Sequence, residues 1–172
     1  MLAWRGVTYC MAALVLLARA AEGAECSYFI KTATDDNFCL TVPTSQYRNG
    51  LVVILAQCSN STQQKFRFDP FNYYIQPEDD TEWCLDFDFD DKKYRPLTLF
   101  KCGMTGSPFA DEKHQRWKWP NYKAGESGPL RNRGTDMCVG VGKDIYAGKY
   151  LQQFDCDSIS DFDFVEADNL KY

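Results

Sequence analysis

Three pairs of cysteines at nearly equal spacing constrain the fold of this chain more than any other feature. The members of the pairs are 19, 18 and 18 positions apart: Cys39 with Cys58, Cys84 with Cys102, and Cys138 with Cys156. Six cysteines allow about 15 pairings, but the repeated spacing favours one disulfide within each pair. A zinc site is a poor alternative, because its cysteines lie about two to four residues apart and are completed by a second close pair or by histidines. The chain has one histidine, His114.

The residues around the cysteine pairs repeat three times. One β-type run carries the first cysteine of each pair, the next run ends at the second cysteine, and a further run carries two aromatic residues two positions apart. These aromatic pairs are Phe66 with Phe68, Trp117 with Trp119, and Phe162 with Phe164. Alternate residues of a strand share one face, so the pairs predict buried core residues. Opening strands are expected around Ile30, Ile75 and Leu130.

The period of this pattern predicts the fold class. The repeats cover about residues 28–71, 72–122 and 128–166, with four short strands each, and no segment has a convincing amphipathic helical pattern. One repeat alone has too little apolar surface to fold, so the three must share a core. We therefore predict an all-β body of about twelve short strands with pseudo-threefold symmetry and one disulfide in each repeat.

Residues 1–24 have the pattern of a secretory signal peptide. Arg5 gives a positive start, the run from Gly6 to Ala18 is apolar, and small residues follow at the positions that signal peptidase requires. About 13 apolar residues are too few to span a bilayer, and no second such run follows. We therefore expect secretion, or residence in the lumen of the secretory pathway, with residues 25–172 as the mature domain.

The net charge excludes two classes of partner. The formal charge of −5 becomes −7 when cleavage after Ala20 removes Arg5 and Arg19. Nucleic acids and anionic membranes do not attract an acidic protein that has no basic patch. The densest basic stretch, Arg131 to Arg133, is predicted to be a solvated loop. We expect neither nucleic-acid binding nor membrane insertion.

Two further residues predict modification or covalent assembly. Cys26 precedes the first repeat and has no partner in the cysteine pattern, which in a secreted chain suggests an intermolecular disulfide. The alternatives are a reactive or capped thiol, or a disulfide to a cysteine that the repeat pattern assigns to another partner. Asn60 begins the sequon Asn60-Ser61-Thr62 in a predicted turn, so it is a candidate glycosylation site.

Three sequence features that occupy corresponding positions in the repeats resemble those of a known family. The sequence Cys84-Leu85-Asp86, the second cysteine of each pair, and Gln64-Lys65-Phe66 and Gln115-Arg116-Trp117 resemble the ricin-type β-trefoil of plant toxin B chains and many secreted lectins. The resemblance extends from Tyr28 to Phe164, although the third repeat has Asp161-Phe162 where Gln-x-Trp is expected. It implies a β-trefoil that binds a glycan, of galactose type or another, without catalysis and without a cofactor.

The resemblance also implies a sugar site in the second repeat. Family members hold a sugar with an acid two residues after the first cysteine, which is Asp86, and an aromatic platform two residues before the second, which is Phe100. Thr98 faces the same side as Phe100. Polar groups near the Gln-x-Trp motif complete the set, here Gln115 and His114, the latter standing where the family usually has asparagine.

The other two repeats lack part of this set. The first has Thr41 in place of the acid and Ala56 in place of the aromatic residue. The third keeps Phe154 and Gln152 but has Gly140 in place of the acid. We therefore expect at most one working site.

Other interpretations of the acidic run remain to be weighed. Asp86, Asp88 and Asp90 alternate with apolar residues and could form the solvated face of a strand. A calcium loop is excluded, because Asp91 and Leu97 occupy the positions that need Gly and Glu. His114 has no recognisable nucleophile motif beside it, and no pair of carboxylates is singled out for glycoside hydrolysis. We expect no enzyme activity and no metal site.

Two functions of different class follow. The first is a secreted, non-catalytic carbohydrate-binding domain. The second is an interaction or assembly subunit that has lost sugar binding and contacts its partner through Cys26 or the loop from Gly103 to Lys113. In the toxin B chains a cysteine in a similar N-terminal arm links the lectin to its partner chain, which supports a covalent role for Cys26.

Overall fold

The structure is a computed structural model that describes residues 27–87, 94–104, 112–118, 127–158 and 162–167. The predicted signal peptide, Cys26, Trp119 and most of the loop from Gly103 to Lys113 lie outside these ranges. So do Asp88, Asp90 and Asp91 of the acidic run.

The described part of the chain is an all-β fold, as predicted, and its strands are short. It contains 14 strands: β1 Ser27–Thr32, β2 Asp35–Thr41, β3 Leu51–Val52, β4 Ile54–Gln57, β5 Lys65–Asp69, β6 Tyr74–Pro77, β7 Trp83–Phe87, β8 Leu97–Lys101, β9 Trp117–Lys118, β10 Ser127–Gly128, β11 Arg131–Asn132, β12 Cys138–Gly140, β13 Gln152–Phe154 and β14 Phe162–Glu166. Three short 3-10 helices precede or follow strands: η1 Thr62–Gln64, η2 Glu112–Gln115 and η3 Cys156–Ser158.

The strand count exceeds the predicted twelve because two strands are divided. The third strand of the first repeat is interrupted at Val53, which gives β3 and β4. In the third repeat, Leu130 lies between β10 and β11 and not within a strand. Both residues are fully buried, so their side chains belong to the core although they lie between the strands.

Antiparallel pairing brings the two ends of the domain together. The strand β1 pairs with β14, with Phe29 opposite Val165, and also with β2 and β5. A four-stranded sheet has the order β13-β12-β11-β9, and a three-stranded sheet has the order β3-β8-β7. The three-stranded sheet therefore joins a strand of the first repeat, β3, to the β7–β8 hairpin of the second repeat.

All three repeats contribute to one core, which confirms the prediction that they share one. The aromatic residue that follows the motif glutamine is buried in the first two repeats, and its counterpart in the third is buried as well: Phe66, Trp117 and Phe162. Aliphatic residues from every repeat pack around them: Ile30, Leu40, Leu55, Ile75, Leu85, Leu97, Leu99, Leu130, Val139 and Leu151. Burial of this apolar surface is the main favourable term in folding.

Each repeat contains the predicted disulfide. The three bonds are Cys39–Cys58, Cys84–Cys102 and Cys138–Cys156, with Cα–Cα distances of 5.0, 5.1 and 5.0 Å. Each bond joins the first strand of a hairpin to the residue one or two positions after its second strand. Closing loops of this length stabilises a fold by about 3 kcal/mol per bond in the chain-entropy model.

Backbone hydrogen bonds pass from each repeat to the next in a closed ring. The amide eight residues before the second cysteine donates to the carbonyl three residues before the second cysteine of the next repeat: Gly50 to Leu99 at 2.9 Å, Tyr94 to Gln153 at 2.7 Å, and Gly148 to Leu55 at 2.8 Å. All three donors have positive φ, at 75°, 70° and 88°. Glycine adopts this conformation without steric cost, whereas Tyr94 holds it under strain.

No helix in the described ranges is long and apolar enough to cross a membrane.

Substituting Gly50 tests the ring. An added Cβ at Gly50 meets no described atom within 4 Å, so any loss in Gly50→Ala comes from the left-handed backbone alone. We expect the free energy of unfolding in urea to fall by about 1–2 kcal/mol. Gly50→Asn is the matched control, because asparagine tolerates this conformation, and it should lose clearly less. Equal stability of Gly50→Ala and wild type would contradict the assigned backbone geometry.

Candidate functional site

Asp86 and Thr98 lie directly opposite each other on β7 and β8. The Thr98 hydroxyl donates to the Asp86 carbonyl oxygen at 3.2 Å. Asp86 is only 5% exposed, and Thr98 is buried as well. The interpretation of Asp86 as part of a solvated strand face is therefore wrong. The residue is almost fully enclosed.

Trp117 fixes the strand on both sides of Asp86. Its indole Nε1 donates to the carbonyl oxygen of Leu85 at 3.0 Å. Its ring centroid lies 5.2 Å from that of Phe87, and all three of these side chains are fully buried. Because successive residues of a strand point to opposite faces, anchoring Leu85 and Phe87 in the core directs Asp86 to the other face.

Phe100 supplies the aromatic member of the predicted site. It lies on β8 two residues after Thr98, so the two side chains share a face, and it is half-buried. Its register partner on β7 is Cys84, two residues before Asp86. The structure thus brings Asp86, Thr98 and Phe100 together on adjacent strands.

Gln115 is fully buried and binds the backbone around Cys102. Its Oε1 accepts from the amide of Gly103 at 2.8 Å, and its Nε2 donates to the carbonyls of Lys101 at 3.1 Å and Met104 at 2.8 Å. The amide thus bonds on both sides of the cysteine. With its polar atoms engaged and no surface exposed, Gln115 holds the chain and offers no group to a ligand at the surface.

The motif glutamine of the first repeat makes equivalent hydrogen bonds to the backbone around Cys58. Gln64 Oε1 accepts from the amide of Ser59 at 2.7 Å, and Nε2 donates to the carbonyl of Gln57 at 2.9 Å. These two residues flank Cys58. In both repeats the motif glutamine therefore bridges the residues before and after the second cysteine. The sequence pattern locates this glutamine, but the long-range partners of its amide define its role.

His114 is half-buried in η2, and a turn of the third repeat positions it. Asn132 is fully buried, and its Nδ2 donates to the His114 carbonyl at 2.6 Å while its Oδ1 accepts from the Gly134 amide at 2.8 Å. Gly134 packs so closely that an added Cβ would lie 2.6 Å from His114 Cδ2. His114 therefore keeps its place through residues of another repeat.

The prediction that residues Arg131 to Arg133 form a solvated loop is wrong. Asn132 is buried in it, and the Arg133 guanidinium lies 3.4 Å from the ring centroid of Tyr73. Neither Asn132 nor Gly134 was singled out as a site residue from the sequence. The one available signal is their spacing, since an asparagine two residues before a glycine favours a turn closed by the asparagine side chain.

Asp136 links strands β9 and β11 through hydrogen bonds from Lys118 and Arg131. Hydrogen bonds from Arg131 and then from Lys118 lower the pKa of Asp136 to about 2. The Arg131 Nε and Lys118 Nζ atoms lie 2.8 and 2.9 Å from its carboxylate. Because the pKa is lowered, the contribution of these interactions to folding stability is present at neutral pH, and it is lost as the pH falls through about 2 and the carboxylate is protonated.

The equivalent positions in the other repeats form no comparable site. In the first repeat, the Thr41 hydroxyl donates to the Cys39 carbonyl at 3.0 Å and accepts from Gln64 at 2.9 Å, so it is engaged within the fold. In the third repeat, Gly140 stands opposite Gln152, where the second repeat has Asp86 opposite Thr98.

Two other sequence predictions fall in described regions. Asn60 is exposed in a bend before η1, as an accessible sequon requires, and its glycosylation stays a prediction. Within the described ranges, no group of three or more His, Cys, Asp or Glu side chains is arranged to hold a metal ion.

Comparison with known proteins identifies the repeat. The family model of the ricin-type β-trefoil lectin domain matches residues 27–158. A search of curated proteins returned no significant match. Solved structures with this fold do match, at low sequence identity, so these structural matches bear on the fold alone.

Three of the similar structures are lectin domains or agglutinins. The β-trefoil lectin of the Vibrio vulnificus hemolysin/cytolysin, solved with N-acetyl-D-lactosamine, has a TM-score of 0.61 at 18% identity, with 87% of this chain and 99% of that one covered. The agglutinin from Abrus precatorius has a TM-score of 0.64 at 16% identity, covering 86% and 51%. The C-terminal half of the earthworm R-type lectin, in complex with GalNAc, has a TM-score of 0.59 at 12% identity, covering 82% and 98%.

Removing the Gln115 amide tests its structural role. Gln115→Ala leaves three backbone groups around Cys102 without their partner, so we expect a loss of about 2–4 kcal/mol in the free energy of unfolding. Gln46→Ala, at an exposed glutamine, is the control and should change stability by less than about 0.5 kcal/mol. Wild-type stability of Gln115→Ala would show that the amide does not hold the chain.

Proposed function

Because the chain belongs to the ricin-type β-trefoil lectin family, we propose that it is a carbohydrate-binding protein with its sugar site in the second repeat. The observation that carries this proposal is the placement of Asp86 and Phe100 on the adjacent strands β7 and β8, with Thr98 between them. The same three groups are not found together at the equivalent positions of the first and third repeats.

The chemistry of these groups suits a sugar. A carboxylate such as that of Asp86 accepts hydrogen bonds from two neighbouring sugar hydroxyls. The half-buried ring of Phe100 packs against the apolar C–H face of a pyranose. Trp117 and Gln115 hold the two strands from behind, so the carboxylate and the ring keep a fixed separation. A site prepared in this way avoids the cost of ordering its groups when the ligand binds.

The known ligands of similar structures favour a galactose-type sugar. The Vibrio vulnificus domain was solved with N-acetyl-D-lactosamine and the earthworm domain with GalNAc. We propose the same sugar class for the Asp86 site. The protein does no chemistry on its ligand, and the first and third repeats act as scaffold for this site.

The predicted signal peptide completes this proposal. Secretion would place the three disulfides in an oxidising compartment and Asn60 within reach of glycosylation. One shallow site gives weak binding, so useful avidity requires several copies of the domain held together.

Asp86→Asn tests the sugar site with little change in shape. We expect at least about tenfold weaker binding on a galactose-containing glycan array and in calorimetry, because a charged hydrogen bond is replaced by a neutral one. Asp36→Asn is the matched control, since Asp36 lies on an exposed part of β2 and its carboxylate lies 3.8 Å from the Lys31 ammonium, away from the proposed site. It should bind as wild type does. Undiminished binding by Asp86→Asn would place the site elsewhere.

A second function, covalent assembly through Cys26, is favoured by the observed disulfides. They use all six cysteines of the repeats, as the sequence pattern predicts, and they leave Cys26 as the sole cysteine of the predicted mature chain outside that set. We propose that Cys26 links the domain to a second protein chain, which would also supply the avidity that a single site lacks.

Electrophoresis of the secreted protein with and without reductant tests this link. We expect a band of higher mass under non-reducing conditions that collapses to the monomer on reduction, and Cys26→Ser should abolish that band. Asn60→Gln is the control, because it alters another predicted surface modification and should leave the linked band in place, shifted only by any lost glycan. A wild-type monomer under both conditions would contradict the proposal.

A further inference from the structure

The Asp86 site borders the first repeat on one side. Strand β3 of the first repeat pairs with β8, and the register places Val52 directly opposite Thr98. Thr98 in turn stands opposite Asp86 on β7. Because paired residues of an antiparallel sheet share a face, these three residues form one row across three strands. Val52 is half-buried, so the first repeat adds an apolar side chain beside the site.

The same register occurs at the other two junctions between repeats. Isolated antiparallel bridges join Pro96 to Gln152 and Tyr150 to Ile54. In each pair, as in the first, one residue stands six positions before the second cysteine of its repeat and the other stands four positions before that of the next repeat. Each repeat is therefore bordered by the same segment of the preceding repeat.

At one of these junctions a tyrosine covers an aromatic ring. Tyr94 stands eight positions before Cys102, and its amide donates to the carbonyl of Gln153 in the third repeat at 2.7 Å. Its ring meets the Phe154 ring edge-on, with centroids 5.3 Å apart and planes at 85°. Its φ of 70° lies in the region that favours glycine. A side chain at this position therefore packs on the aromatic residue of the following repeat.

Gly50 leaves the equivalent position open beside Phe100. Its amide donates in the same way to the Leu99 carbonyl at 2.9 Å, and its φ is 75°. An added Cβ at Gly50 would meet no described atom within 4 Å. The Oδ1 atom of Asn49 accepts from the Lys101 amide at 3.0 Å, which fixes this turn against β8. The described part of the chain thus leaves space next to the Phe100 ring.

Gly148 has the same backbone but borders no aromatic residue. Its φ is 88°, and its amide donates to the Leu55 carbonyl at 2.8 Å. The residue of the first repeat that corresponds to Phe100 is Ala56. Among the three junctions, the open position and the aromatic ring therefore occur together at the second repeat alone.

We propose that the Asp86 site takes the terminal disaccharide of a glycan, with the second sugar unit lying over Gly50 and against Val52. This inference rests on the proposed sugar site and assigns to it a ligand longer than one sugar. A terminal sugar is joined to its glycan through C1, so the unit at C1 is the neighbour that needs room. Adjacent strands lie about 4.8 Å apart, so the step from β8 to β3 is comparable with the width of a pyranose ring.

Gly50 is the specificity-determining residue in this arrangement. It admits the second unit where a larger side chain would exclude it, and specificity is the resulting difference between two affinities. The Val52 side chain supplies apolar contact to the C–H groups of that unit. Because β3 and β8 are held by backbone hydrogen bonds, this contact needs no rearrangement of the protein.

Calorimetry of the full chain with a monosaccharide and a disaccharide tests the proposal. Methyl β-D-galactopyranoside occupies the first position, and lactose occupies both. We expect wild type to bind lactose about threefold to tenfold more tightly. Gly50→Tyr should bind the monosaccharide as wild type does and lose the preference for lactose. Its ring should pack on Phe100 as the Tyr94 ring packs on Phe154, in the place of the second unit.

Two variants separate exclusion of the sugar from backbone strain. Gly148→Tyr introduces the same ring at a left-handed position beside Ala56, so it should lose a similar amount of stability in urea and keep the lactose preference. Gly50→Ala carries the strain without the ring, and it should keep the preference as well.

The outcomes distinguish this proposal from the one on which it rests. If wild type binds lactose no more tightly than the monosaccharide, the second sugar position is overturned while the Asp86 site stands, and that comparison needs no variant. An unchanged lactose preference in Gly50→Tyr would also overturn the second position. So would loss of the preference in Gly148→Tyr, or loss of monosaccharide binding in folded Gly50→Tyr. If neither sugar binds wild type at millimolar concentration, the Asp86 site and the second position both fail.

Discussion

The structure depends on a core that no single repeat can bury. Phe66, Trp117 and Phe162 enter it from three different repeats, and each is surrounded by aliphatic residues of the others. A four-strand unit of about 45 residues exposes most of its apolar surface when isolated, so folding requires all three repeats to assemble. The disulfides and the ring of inter-repeat hydrogen bonds act on this arrangement, by limiting the unfolded chain and by satisfying the backbone where repeats meet.

This constraint explains how much of the fold the sequence predicts. Cysteine spacing, strand periodicity and paired aromatic residues are local signals, and they are enough to predict an all-β body of three repeats with the observed disulfides; the trefoil itself is what the family resemblance implies. The divided strands at Val53 and Leu130 were not predicted, because both are apolar residues that fit a strand pattern equally well.

The candidate site was predicted less completely, for a related reason. Asp86, Thr98 and Phe100 lie on two adjacent strands, and their spacing from the cysteines locates them. The family resemblance assigns Gln115 to the ligand, whereas its amide is buried against the backbone around Cys102. The supports from the third repeat, Asn132 and Gly134, depend on contacts between segments about 18 or more residues apart, which no local pattern encodes.

Residues that support the fold are more similar between the three repeats than residues at the surface are. Cysteines and core aromatics serve the same purpose in all three repeats, and the motif glutamine does so in the first two, while the positions of Asp86 and Tyr94 have different residues in the others. Nuclear magnetic resonance of the ¹⁵N-labelled protein titrated with lactose tests the central claim most directly. We predict that amide shifts change along β7 and β8, around Asp86 and Phe100, with Thr41 and its neighbours unaffected. Shifts concentrated in the first repeat, or none on β7 and β8, would contradict it.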